Sequence, residues 1–365
     1  GALRHFADMV KYGKTILSPV THARNFVSNI FFAIQNGYNP KYLRSGASAF
    51  NNAWIKTPDD KKRDLIQQYV KLGIVGEGAW SGDLKALCER LNADAVDQMV
   101  FSEGYFAQAN KWLQRSYQAE DDFWRIVGFE TEKARYARSL YGKDFDDLSP
   151  EQRNDIERRA ADIVSETMPT YSNVPRFAAA LREVPLFGTF IAFPAEMFRI
   201  TANQIKRAVY TDMKDPRTRG IAMTRLAGIA ASQSLTVAGA ALSKWMIGVG
   251  DEEEDSARFF TAEWQKNSMW VWDSFEPGKE MAFRNLAYTD PYAFYKKPIV
   301  GLMTDNGTKF EKRMADAAWG LVSPFLDVEL TTGTILALAY NRRPGTIEPI
   351  YNPGSGILDD WRASG

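Results

Sequence analysis

The run Leu226–Gly250 constrains the fold of this chain more than any other stretch. Lys244 is its only charged residue, and alanine, glycine and serine occur throughout it. Its larger apolar residues recur at helical spacing, so the run predicts one long helix with an apolar face. The small residues would allow a second helix to approach closely. The predicted membrane-facing or helix-packing surface consists of Leu235, Ala238, Gly239, Leu242, Trp245 and Val249.

Two interpretations of this helix follow from its length and its flanks. It is long enough to cross a bilayer, which takes about 20 apolar residues. Arginines precede it and the acidic run Asp251–Asp255 follows it, which resembles the charge bias around membrane helices. Gln233, near the middle, disfavours a spanning helix, because an amide in lipid is costly unless it is paired. We therefore predict a buried helix of a soluble fold, with a membrane-inserting or interfacial helix as the alternative.

The densest basic region lies just before this helix. Two carboxylates, Asp212 and Asp215, dilute its charge. The region therefore predicts a solvated corner between two helices, with contacts to phosphate or lipid headgroups as the alternative. The cationic residues that would make those contacts are Lys206, Arg207, Arg217, Arg219 and Arg225.

The remaining chain predicts further helices separated by turns. Asn36-Gly37 ends the helix Val20–Gln35 in the manner of a left-handed cap. Ser149 and Gln152 form a capping box at the start of another helix. Lys41–Ile55 and the aromatic segment Asn267–Tyr295 are predicted to be irregular. Other predicted helices are Pro58–Leu72, Glu103–Gln118, Glu120–Tyr141, Val184–Tyr210, Arg217–Val249, Lys309–Val322 and Pro324–Tyr340.

These elements predict an all-α protein, because no strand alternation is sustained along the sequence. We expect an extended multi-helix array with a long irregular aromatic loop and an extended C-terminal tail. The predicted regions are an N-terminal helical region at 1–170, a helical region with apolar hairpin-like helices at 171–341 and the tail at 342–365.

Composition disfavours several classes of function. The chain has 45 Lys+Arg and 45 Asp+Glu, whereas a general binder of nucleic acid is normally basic. Its single cysteine and two histidines cannot supply a Cys/His zinc site. The glycines of 73–82 are not followed by the Gly-Lys-Ser/Thr of a phosphate-binding loop. We therefore predict no enzymatic activity, no cofactor and no small-molecule substrate.

Several short sequence motifs together resemble those of one protein family. They are KTILSP at Lys14–Pro19, THARN at Thr21–Asn25, PLFGTF at Pro185–Phe190, FPAE at Phe193–Glu196 and AYTDPY at Ala287–Tyr292. In these features the chain resembles the helical carboxy-terminal region of large virion-internal proteins of tailed bacteriophages, including ejection and polyvalent proteins. The matched polar positions are Arg24, Asn25, Glu196 and Arg199. The motifs themselves are typical of helix packing and of turns.

The resemblance implies a structural component of an internal virion or DNA-ejection assembly. Such a protein would form an oligomer near the portal and aid genome delivery. Its expected partners are other virion proteins, from the portal or core, and further copies of itself, with contacts to phage DNA and the host membrane. Its expected location is the virion interior and, after ejection, the host cell envelope. The alternatives are a membrane-inserting channel or anchor protein and, third, an enzyme with an unrecognised site.

Overall fold

A computed structural model describes residues 18–54, 60–75, 105–170, 192–260, 268–286, 289–303, 309–315 and 317–318. Helices make up 76% of this described part, which confirms the all-α class. The helices are α1 Pro19–Asn36, α2 Leu43–Trp54, α3 Asp60–Lys71, α4 Tyr105–Tyr141, α5 Pro150–Thr167, α6 Ala192–Lys206, α7 Arg219–Ile247, α8 Asp251–Phe259 and α9 Ala293–Met303. A π-helical segment, Arg207–Asp212, follows α6, and the strands β1 Trp270–Glu276 and β2 Glu280–Asn285 precede α9.

The ends of three helices lie close to the positions that the sequence predicts. The Ser18 side chain accepts a hydrogen bond at the start of α1, and Gly37 ends the helix with a left-handed φ of 61°. Ser149 and Gln152 form both bonds of the capping box at the start of α5. The prediction Arg217–Val249 matches α7 to within two residues at each end.

Two predictions of local structure are wrong. Much of the segment Lys41–Ile55, predicted to be irregular, is the helix α2. Its Gly46 packs closely on α4, because an added Cβ would lie 2.8 Å from the Phe123 carbonyl oxygen. The two helices predicted on either side of Ala119 are the single helix α4. Neither glycine nor proline occurs at that point to interrupt the backbone.

The segment Asn267–Tyr295, predicted to be an irregular loop, contains an antiparallel hairpin of β1 and β2. A bulge between Trp272 and Ser274 interrupts the two-residue alternation that would have indicated a strand. The Trp270 and Phe283 rings stack on each other with centroids 3.9 Å apart. Gly278 turns the chain with a φ of 75°.

The chain divides into two compact units. Unit 1 comprises Gly1–Ala178, Ala195–Leu235 and Thr289–Pro291, and unit 2 comprises Ala179–Pro194, Thr236–Tyr288 and Tyr292–Gly365. One hydrophobic cluster of unit 1 joins α4, α5 and α7 through Tyr136, Ala137, Leu148, Ile156, Ile163 and Ile221. One cluster of unit 2 contains Val249, Trp270 and Trp272. The three-region division at 170 and 341 remains a prediction. The predicted tail at 342–365 and the first part of the predicted helix Val184–Tyr210 lie outside the described residues.

Candidate interaction surface

The part of α7 that belongs to unit 1, residues 219–235, packs against the rest of that unit through a side that is mostly small or polar. Arg225, Gly228 and Ser232 are buried on this side. At Gly228 an added Cβ would lie 2.5 Å from the carbonyl oxygen of Ile34, in the last turn of α1. The close approach of another helix, which the small residues predict, therefore occurs at this glycine.

Arg225 is the centre of a buried charge network. It donates to a Glu132 carboxylate oxygen at 2.6 Å and to an Asp212 oxygen at 3.3 Å, and all three side chains are at most 1% exposed. The Tyr136 hydroxyl donates to the other Asp212 oxygen at 2.6 Å. Burial acts to lower the pKa of Arg225, but the charge of Glu132 and the neighbouring groups raise it above its ordinary value. The guanidinium therefore stays protonated.

The same network joins α7 to the end of α1. Glu132 accepts a second bond, at 3.1 Å, from Arg135. Arg135 also donates to the carbonyl oxygens of Asn36 and Gly37. These carbonyls lie at a helix terminus, where they have no partner within the helix. Arg135 therefore connects the charge network to the carboxyl end of α1.

The π-helical segment determines which side chain reaches Arg225. The Met213 amide donates to the Ala208 carbonyl at 2.9 Å, which is the five-residue spacing of a π-helix. This spacing adds one residue relative to an α-helix, and one residue corresponds to a rotation of about 100° around the axis. Asp212 consequently faces the buried interior, where its backbone carbonyl also accepts from Thr218 at 2.8 Å.

An amide cluster next to this network involves Gln233. The side-chain amide oxygen of Gln35 accepts from Ser232 at 3.0 Å and from Gln233 at 3.2 Å. The side-chain amide nitrogen of Gln35 donates to Gln204 and, at 3.3 Å, to Thr201. The Gln233 amide, which disfavours a membrane-spanning α7, is thus hydrogen-bonded to α1 within unit 1.

The four polar positions matched by the resemblance occupy different environments. Glu196 is fully buried, accepts from the Thr170 amide at 2.6 Å and is bonded to Arg199. Arg199 also donates to three carbonyl oxygens at 3.3 Å, those of Ser165, Glu166 and Met168. Asn25 donates to Glu120 at 3.4 Å, and Arg24 is exposed. The contacts of Glu196 and Arg199 are those of packing and of helix-end capping.

The predicted cationic contacts do not form one exposed group. Lys206 and Arg219 are exposed, and Arg217 is exposed but bonded to Asp215 at 2.8 Å. Arg207 is half-buried and donates to Glu166 at 2.6 Å. Arg225 is fully buried, so its contact with an external phosphate would require its two ion pairs to break. For the other four residues, binding of phosphate or headgroups remains a prediction.

The carboxyl-terminal half of α7, beyond the buried Arg225, Gly228 and Ser232, exposes apolar side chains. Leu235, Leu242 and Trp245 are 53%, 55% and 78% exposed. Ala238 is also exposed and Gly239 is half-buried, whereas Val249 lies in the unit 2 cluster. In the described part of the chain, α7 is the helix long and apolar enough to cross a membrane, and only 11% of its most apolar window is buried. Much of its apolar surface therefore lies open to another molecule.

Acidic residues follow directly after this apolar surface. Lys244 donates to Asp251 at 2.5 Å and to Glu254 at 2.7 Å, which holds the first turn of α8 against the last turns of α7. Arg258 bonds the same Glu254 and lies 4.1 Å from the centre of the Trp270 ring. Burial acts to raise the pKa of Glu254, but the bonds from Lys244 and Arg258 outweigh it and hold the pKa below the ordinary value.

The chain matches no family model, no curated protein and no solved structure. Among the described residues, no group of three His, Cys, Asp or Glu side chains is arranged to hold a metal ion. The sequence does not predict that Glu132 and Asp212 are the partners of Arg225. Charged residues on helices are usually solvated, and Glu132 lies 93 positions from Arg225, so no local signal pairs them.

Proposed function

We propose that this protein is a structural component of a helical protein assembly, with α7 as a contact surface. The observation that carries the proposal is the exposure of the carboxyl-terminal half of α7. Arg225, Gly228 and Ser232 are buried in the first half, whereas Leu242 and Trp245 in the second half are 55% and 78% exposed. A soluble helix normally places its large apolar residues toward the core. The exposure of these residues supports a partner that covers this half of the helix.

The size of the apolar effect supports this assignment. Removing one large apolar side chain from water contributes roughly 1.5–3 kcal/mol. Four apolar residues of α7 are more than half exposed: Leu235, Leu242, Trp245 and Met246. A partner that covered several of them would gain an appreciable part of the binding free energy that corresponds to a micromolar dissociation constant. Exposed single residues are common on proteins, but a series along one helix marks an interaction site.

The alternative proposal is that α7 inserts into a membrane. Its length and composition favour this alternative. The contacts on its buried side weigh against it, because a spanning α7 would have to leave Glu132 or carry its network into lipid. Gln233, near the middle of α7, would also lose its bond to Gln35, and an unpaired amide in lipid is costly. The proposed role is therefore protein assembly, and it is structural rather than catalytic.

The resemblance to virion-internal proteins supports a more specific setting for this assembly. We propose an internal virion or DNA-ejection complex of a tailed bacteriophage, close to the portal. The partners would be further copies, portal or core proteins and, in transit, phage DNA and the host envelope. A gene position beside portal and tail genes would support this setting, and a position among unrelated cellular genes would contradict it.

Two measurements on the full chain separate assembly from membrane insertion. The mass in solution is measured by sedimentation over a range of concentrations, and lipid binding by flotation with vesicles of mixed neutral and anionic lipids. Assembly predicts particles larger than the monomer and no flotation. A chain that floats with vesicles and is monomeric without them would contradict the proposal and favour the membrane alternative.

A variant tests whether the exposed carboxyl-terminal half of α7 is responsible. Replacement of Leu242 and Trp245 by serine is expected to reduce the mass without lowering helix content. The matched control replaces Phe310, which is 57% exposed elsewhere in unit 2, and should leave the mass unchanged.

A further inference from the structure

Unit 2 carries an exposed patch that is both apolar and acidic. We call it the acidic patch, and its residues are Leu242, Trp245, Met246, Asp251, Glu252 and Asp255. The bonds from Lys244 to Asp251 and Glu254 keep the start of α8 beside the apolar residues of α7. The Asp251 side chain is nevertheless 95% exposed, and Glu252 and Asp255 are exposed too. A partner for this patch needs apolar side chains with cations around them.

Unit 1 carries an exposed patch with the opposite charge. We call it the basic patch, and its residues are Phe198, Ile205, Lys206, Val209, Tyr210 and Lys214. They lie along α6, the π-helical segment and the turn after it, and Lys206, Tyr210 and Lys214 follow one another at intervals of four residues. Tyr210 is 64% exposed, and the Lys214 ammonium lies 5.9 Å from the centre of its ring. Lys206 and Lys214 are exposed cations beside apolar side chains, which is the chemistry that the acidic patch requires.

We propose that the acidic patch of one copy binds the basic patch of a second copy. The inference rests on the proposed assembly function and names the partner of its contact surface. Charge complementarity carries it, because opposite potentials across an interface select the partner and set its register. The acidic side chains next to Trp245 would also repel an anionic bilayer. The two surfaces differ, so the contact is head-to-tail and generates a closed ring or an open filament.

The test uses two variants of the full chain that each lose one patch. The first changes Trp245→Ser and Glu252→Lys, and the second changes Tyr210→Ser and Lys214→Glu. All four residues are exposed and none belongs to the Arg225 network. The matched control makes the same kinds of change at another exposed site, Phe310→Ser and Glu311→Lys. Circular dichroism and thermal unfolding establish that each variant is folded, and the charge changes alone serve where a double change unfolds the chain.

Sedimentation velocity gives the outcomes. We expect the wild type and the control to associate, and each patch variant alone to be monomeric, with its dissociation constant raised about tenfold or more. An equimolar mixture of the two patch variants retains one intact pair of surfaces. It should therefore form a particle of twice the monomer mass and nothing larger.

Other results would overturn the inference. A patch variant that associates as the wild type does, or a mixture that stays monomeric, contradicts the head-to-tail contact but leaves the proposed assembly function standing. If the acidic-patch variant alone is monomeric while the basic-patch variant still forms dimers, the contact is symmetric through α7. A wild-type chain that is monomeric at every concentration contradicts both the inference and the proposed self-assembly.

Discussion

Arg225 and Glu132 form a 2.6 Å ion pair in which both side chains are fully buried. Arg225 belongs to α7 and Glu132 to α4, so the pair joins these two helices within unit 1. A buried pair of this kind contributes little over an apolar substitute, but the loss of one partner leaves a charge without compensation. The pair therefore determines which side of the first half of α7 is buried.

The first prediction concerns this ion pair. Arg225→Ala should lower the free energy of unfolding by about 3–5 kcal/mol, because Glu132 and Asp212 would remain buried without their cation. Urea unfolding measures the change. Arg219→Ala is the matched control, since Arg219 lies on the same helix and is exposed, and it should change stability by less than about 0.5 kcal/mol. Equal unfolding midpoints for the two variants would show that the network does not hold α7.

The second prediction compares two glycines of α7. Gly228→Ala should destabilise the protein by about 1–3 kcal/mol, because the new Cβ would lie 2.5 Å and 2.6 Å from two carbonyl oxygens of α1. At Gly239 no atom lies within 4 Å of an added Cβ. Gly239→Ala should therefore stabilise the helix by up to about 1 kcal/mol. Thermal unfolding of both variants measures these changes in stability. A Gly228→Ala protein as stable as the wild type would contradict the close approach of α1 to α7.

The third prediction concerns the pH dependence of unit 2. The pKa of Glu254 is held below its ordinary value, so the folded state favours the carboxylate. Its contribution to stability is present above the ordinary pKa and is lost as the pH falls through the lowered value. The difference in unfolding free energy between wild type and Glu254→Gln should be largest near neutral pH and should shrink as the solution is acidified.

Denaturant unfolding at a series of pH values measures this difference. Glu252→Gln, in the same turn of α8 but exposed, is the control and should shift stability by less than about 0.5 kcal/mol. A difference for Glu254→Gln that stays constant down to strongly acidic pH would rule out the ion pairs with Lys244 and Arg258 as its source.

Local signals in the sequence predict helix ends better than they predict contacts. Ser18, Gly37 and Ser149 mark helix ends because capping depends on neighbouring residues alone. Gly46 resembles a loop residue in sequence, although its lack of a side chain allows α2 to pack on α4. The sequence does not predict the hairpin of β1 and β2, because the bulge breaks the two-residue alternation of side chains within one strand.

Local sequence signals are equally limited for the candidate interaction surface. The sequence predicts α7, its apolar face and its charged ends, but not which side the protein buries. That choice depends on Glu132 and Asp212, which meet Arg225 only in the folded structure. An amphipathic pattern assigns the apolar side to the interior by default. In the first half of α7 the buried Arg225 overrides this default, and Met223 is 57% exposed. Helical periodicity alone carries no signal for this.

The most direct test of the central claim is oxidative footprinting of the exposed carboxyl-terminal half of α7. Trp245 and Met246 are 78% and 68% exposed, and Met314, which is 51% exposed in unit 2, is the internal control. The full chain is exposed to hydroxyl radicals at increasing concentration, and oxidation is quantified for each residue by mass spectrometry. We predict that protection of Trp245 and Met246 rises with the fraction of assembled protein while Met314 stays reactive. Equal oxidation of all three residues in assembled and monomeric samples would contradict the claim that another protein chain covers the last turns of α7.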